Sequence, residues 1–150
     1  MENMNVKKWV IAELAVALVI LGIFLWLHPF KTDISKEVTA TVYVDGVAQE
    51  ETTVRMDGTI EKRLFHEDRH FYGTFAIDYY PTTCDTRHTA HIQWDEDGYQ
   101  IIDYHYPGGF VEDYTTMLTI DESMEEFSVE FFEGTVIATS AAGMENHPPL

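Results

Sequence analysis

The chain has 150 residues, of which 26 are acidic and 9 are lysine or arginine, giving a net charge of −17. Residues 1–30 carry Lys7 and Lys8 against Glu2 and Glu13, so the whole excess lies downstream. Nucleic-acid binding depends on clustered basic residues that displace counterions, and here seven are scattered from Lys31 to Arg87, which excludes nucleic acid as an expected partner.

From Trp9 to Phe30 the chain is apolar except for Glu13 and His28, and a helix of that length reaches about 30 Å, the thickness of a bilayer's hydrocarbon core. Trp9 and Trp26 stand near its ends, where amphipathic rings favour the headgroup layer, and Pro29 suits a helix stop. The expectation is a short cytoplasmic tail (residues 1–8), a transmembrane helix (9–30) and a polar juxtamembrane linker (31–36). Lys7 and Lys8 before the span are matched by Lys31 and Lys36 after it, so the basic count does not orient it. The adjacent Lys7–Lys8 pair in a short tail resembles the n-region of a signal-anchor, which places the C-terminal domain outside the cytoplasm. No small-x-small site ends the apolar run and no cysteine follows it for acylation, so an uncleaved single-pass anchor in the cell membrane is expected, with the bilayer itself a partner through residues 9–30.

Glu13 needs a reason, because a carboxylate costs about 2.5–3.5 kcal/mol at the centre of a membrane helix and less toward the interface. Counted from Trp9 it is the fifth residue, and with Leu14, Val16, Ile20, Gly22 and Ile23 the segment resembles the N-terminal helix of type IV pilins and pseudopilins. That resemblance implies a pairing of Glu13 with the N-terminal amine of a neighbouring subunit, hence a partner-binding residue and an assembling protein. It covers the anchor alone. It departs from the family at Lys8, where a small residue precedes the cleavage point, and beyond Pro29, where the family's helix continues and this chain turns to strand pattern.

Residues 37–141 read as one all-β ectodomain, with polar residues 142–150 as a flexible tail. Val38, Ala40, Val42 and Val44 share a strand face, Asp45-Gly46 supplies a tight hairpin turn, and Asp57-Gly58 repeats the signal before a strand over residues 59–66. Phe71, Gly73, Phe75, Ile77 and Tyr79 share the next face, closed by Pro81. A turn through Asp95–Gly98 sets Ile92 opposite Ile102 and His91 opposite Asp103. Further runs over residues 110–120, 127–132 and 135–140 bring the count to about eight short-linked strands, an antiparallel meander closing as a small barrel or a sandwich.

The lone Cys84 excludes an intramolecular disulfide, so the core alone must hold the domain. Thiolate and imidazole suit zinc and copper, which makes Cys84, His88 and His91 the candidate metal ligands, although alternation puts His88 and His91 on opposite faces of a strand. Exposed tyrosines offer flat contact area, and Tyr79, Tyr80 and Tyr114 are the candidate partner-binding residues. No nucleophile elbow or comparable catalytic motif occurs, so neither an enzyme nor a cofactor is expected. The functional expectation is a membrane-anchored extracytoplasmic domain that acts by binding or assembly, with an envelope protein or a basic ligand as partner; the alternatives are a pilin-like subunit and a metal-binding envelope sensor.

Overall fold

A computed structural model describes residues 2–66, 68–94, 100–109, 111–112 and 114–145. Helix α1 (Glu2–Leu27) begins with polar residues and, from Trp9 on, is apolar on every side except for Glu13. Its 22-residue stretch Val6–Leu27 is long and apolar enough to cross a membrane, and none of it is buried. The helix ends earlier than Phe30 because Pro29 follows; His28 N still donates to Phe24 O (2.9 Å), and its ring stacks on Phe24. The segment expected as a cytoplasmic tail is helical from Glu2.

Strand β1 (Phe30–Val44) starts at once, so residues 31–36 are paired strand and not a linker. Their partner explains this: β2 (Val47–Lys62) runs without a break through the expected turn at Asp57-Gly58, and pairs with β1 as far as Phe30 opposite Lys62. Gly58 serves a close approach instead of a turn, lying opposite Gly73 of β3 (Arg69–Ile77). The hairpin at Asp45-Gly46 forms as expected, with φ of 51° and 75°. The long helix of the pilin resemblance is thus replaced by a strand two residues after Leu27.

The remaining strands are β4 (Thr89–Trp94), β5 (Gln100–His105), β6 (Val111–Glu112), β7 (Thr115–Ile120), β8 (Phe127–Phe131) and β9 (Val136–Ala138), and all pairings are antiparallel. Apart from β6 and β7, each strand pairs with its neighbour in sequence, and β9 returns to β1 through Thr41–Ala138, Val42–Ile137 and Tyr43–Val136. Strands β6 and β7 both pair with β5, at Tyr104–Glu112 and at Gln100–Leu118, and so act as one interrupted stave. The result is an eight-stave, nearly closed meander barrel, its thinnest seam between β5 and β7. Ile92 faces Ile102 and His91 faces Asp103 as the hairpin reading requires, while the turn at residues 95–99 lies outside the described residues.

An eight-strand barrel is just wide enough for side chains to fill. Phe71, Phe75, Ile92, Ile102, Tyr104, Phe131 and Ile137 are buried within it. Across the staves, Gly58, Gly73, Ala90 and Tyr104 stand in one register row, so three small residues leave room for one large ring. Tyr104 is fully buried and its hydroxyl donates to Phe75 O (2.8 Å), a carbonyl beyond the last β3–β4 pair.

Both mouths are covered. At the end where β1 leaves α1, the loop from Asp121 to Glu126 inserts the fully buried Met124, and Lys36 reaches Ser123 O (2.8 Å) and Glu125 (2.7 Å). Arg69 donates to Glu122 O (2.8 Å) and lies over Trp94. At the opposite end a 3-10 turn, Pro81–Cys84, caps β3, where Ile77 N donates to Thr83 Oγ1 (2.9 Å). Helix α2 (Ala141–Glu145) packs on β8 and β9, so the expected flexible tail is in part a docked helix; residues 146–150 lie outside the described residues.

Candidate functional site

The sheet period of two sorts the polar residues of β3, β4 and β5 onto the outer face. Tyr72, His91 and Asp103 occupy one register row, and His105 follows Asp103 two residues on, hence on the same face. Cross-strand neighbours on one face stand about 4.5–5.5 Å apart at Cβ, close enough for side chains to meet. One ligand-type atom from each of His91, Asp103 and His105 lies within 4.8 Å of the others, and all three residues are half-buried.

Aromatic packing holds the arrangement. Tyr72 stacks on His91 with centroids 4.5 Å apart and planes 3° apart, and the His105 ring lies 5.9 Å from His91. His70, diagonal to His91, places Nδ1 3.0 Å from His91 Nε2, and its own Nε2 lies 3.7 Å from Asp68. Burial, then repulsion from the His70 and His105 rings, lowers the pKa of His91 below the ordinary imidazole value, against the pull of Asp103.

Cys84, His88 and His91 do not come together, which corrects the sequence-based ligand set. Cys84 sits in the 3-10 turn with Sγ 3.5 Å from Ile77 O. The His88 side chain is 3% exposed, with its ring 3.6 Å from the Tyr106 ring centroid, and neither ring nitrogen has a hydrogen-bond partner among the described residues. His88 precedes β4 and is not part of it, so strand alternation never governed the pair.

The partner-binding candidates separate as well. Tyr80 stacks on Phe131 (3.8 Å) and its hydroxyl binds Glu133; burial, then that carboxylate, holds the phenol proton far above its usual range. Tyr114 is half-buried, tilted against Tyr104 with its hydroxyl 3.0 Å from that of Tyr106. Tyr79 is 37% exposed and lies edge-on to Tyr80. Glu13 sits on exposed α1 with no polar partner among the described residues.

A second surface feature adjoins the helix. Phe65, 58% exposed in the loop between β2 and β3, stacks on Trp26 at 5.5 Å, and His66 meets the same indole edge-on. Leu64 and Phe30 are exposed beside them and help line a pocket of about 320 Å³ with Ile34, Ile60 and Lys62. Comparison with protein-family models, curated proteins and solved structures gives no match to the chain.

Proposed function

We propose that the chain is a single-pass protein of the cell envelope, anchored by α1, whose acidic barrel lies outside the cytoplasm and acts without catalysis, by binding or assembly at the membrane surface. The observation that carries this reading is the 22-residue apolar stretch of α1, none of it buried against the barrel. A helix apolar on every side has no face suited to water. The Trp26–Phe65 stack and exposed Leu64 and Phe30 support it: an aromatic and aliphatic collar surrounds the helix exit, where a headgroup layer takes amphipathic rings. The barrel would then stand end-on to the bilayer, its acidic walls repelling anionic lipid and favouring basic partners.

Intact mass and membrane extraction test this directly. The anchored protein keeps residues 1–30, resists alkaline carbonate and dissolves in detergent, and protease added to intact cells removes the barrel. A mature chain cleaved near Pro29, or a barrel protected until lysis, refutes the reading.

A second reading, a metal-binding envelope domain, is favoured by the convergence of His91, Asp103 and His105.

A further inference from the structure

We propose that His91, Asp103 and His105 form a binding site for a divalent first-row transition ion, of which zinc is the best fit, on the outer face of strands β4 and β5. The inference deepens the metal-binding reading and does not depend on the membrane topology.

Two imidazoles and one carboxylate form a three-ligand set that zinc accepts with a fourth position left open for water or a partner's ligand. In a tetrahedral site with bonds of about 2.0–2.1 Å, ligand atoms stand about 3.3 Å apart. Here the three lie within 4.8 Å of one another, at most about 1.5 Å wider than that spacing. The backbone is already committed: Asp103 faces His91 across a continuous ladder, and Asp103 and His105 alternate onto one face of β5. Ligands on paired strands are held more tightly than ligands on loops.

The surroundings favour a cation. His91 is half-buried between the rings of His70 and His105, whose centroids lie 5.3 and 5.9 Å away. Tyr72 stacked on His91 fixes that ring's plane, and His70 Nδ1, 3.0 Å from His91 Nε2, braces it from the neighbouring strand. The net charge of −17 raises the local concentration of any cation.

The test uses the full chain in detergent, stripped by chelator and titrated with Zn(II) against a chromophoric competitor at pH 7.5. One equivalent is expected to bind with Kd below about 1 μM, and His91→Ala, Asp103→Asn and His105→Ala are each expected to weaken it about tenfold or more. Cys84→Ala leaves the affinity unchanged, and Co(II) in the same site shows tetrahedral d–d absorption without a thiolate charge-transfer band. Metal-free melting curves accompany each variant, and Asp103→Asn, which conserves volume, decides the matter if an alanine variant fails to fold. Binding weaker than about 10 μM, binding that survives Asp103→Asn, or binding lost with Cys84→Ala overturns the proposal. Carbonate extraction of Asp103→Asn cells stays as in the parent, so failure of the site and failure of the anchor are read separately.

Discussion

Replacing Gly73 with alanine challenges the point where the barrel is tightest. An added Cβ would lie 2.2 Å from Asp57 O and 2.6 Å from Gly58 Cα, whereas ordinary contact begins at 3.4 Å. Both obstacles are backbone, held by pairing on either side at Met56–Phe75 and Ile60–Phe71, so neither can swing away as a side chain would. Relief requires the strands to part by more than an ångström, at a cost of about 2–3 kcal/mol by analogy with overpacked cores. For a domain of this size that is a fall in Tm of roughly 10 °C. Gly46→Ala is the comparison: its φ is +75°, but nothing lies within 4 Å of the new Cβ. Only backbone strain remains there, worth about 1–2 kcal/mol. Thermal melts of both variants in detergent, followed by near-ultraviolet circular dichroism, measure the difference. A Gly73→Ala melting point within about 2 °C of the parent would falsify the claim that the β2–β3 contact is a backbone-to-backbone approach.

Two further substitutions probe the covers at either end of the barrel. Asp121 accepts backbone N–H bonds from Ser123, Glu125 and Glu126 at 3.2, 2.8 and 2.9 Å, in the manner of a helix N-cap, and Asp121→Ala should cost about 1–2 kcal/mol in urea unfolding; no change in midpoint would show that Met124, Lys36 and Arg69 hold the loop without it. Burial pushes this carboxyl up, but the Ser123 hydroxyl and those three N–H donors outweigh it and leave the pKa below 3.8, so the contribution is present above that pH and is lost as pH falls through the lowered folded value, a dependence that Asp121→Asn should flatten. His88→Phe replaces a buried ring without hydrogen-bond partners among the described residues by one that needs none, and should leave Tm unchanged or raise it, since an unmet polar group costs about 1–3 kcal/mol; a clear loss of stability would mean that the Asp85 carboxylate, 4.0 Å away, holds the imidazole after all.

The antiparallel strands were legible in the sequence because they have one wet and one dry face, so that Val38, Ala40, Val42 or Phe71, Phe75, Ile77 declare themselves by alternation. The choice of barrel over sandwich was not legible, because a three-pair seam between β1 and β9 depends on how the strands coil and not on any local pattern. Asp57-Gly58 misled for a physical reason: the dipeptide that favours a hairpin also permits close packing of two backbones, and only the distant Gly73 decides between them. The histidine site was nearly within reach. The expected register already set His91 against Asp103, and alternation alone puts His105 on the face of Asp103. Cys84 enters the sequence-based ligand set because thiolate and imidazole both suit zinc and copper, yet its place in the turn after β3 follows from tertiary capping through Thr83. The docked helix α2 was hidden because five residues carry too little periodicity to be read.

The filled interior determines where recognition can occur. Lipocalin-sized barrels of eight strands either hold one small ligand or are packed solid. Here Tyr104, Phe71 and Phe75 occupy the centre, Met124 closes one mouth and Tyr80 on Phe131 lies toward the other. A ligand entering the lumen would have to displace several fully buried side chains at about 1.5–3 kcal/mol each. Recognition therefore falls to the outside, and two exterior features depart from an ordinary solvated surface: the apolar collar beside α1 and the imidazole-carboxylate row on β4 and β5. His66 lies edge-on to Trp26 and 3.9 Å from Asp68, Asp68 lies 3.7 Å from His70, and His70 meets His91, so neighbouring side chains connect the two features. A cation bound at the far end of that series would draw on imidazoles whose near end rests at the helix exit.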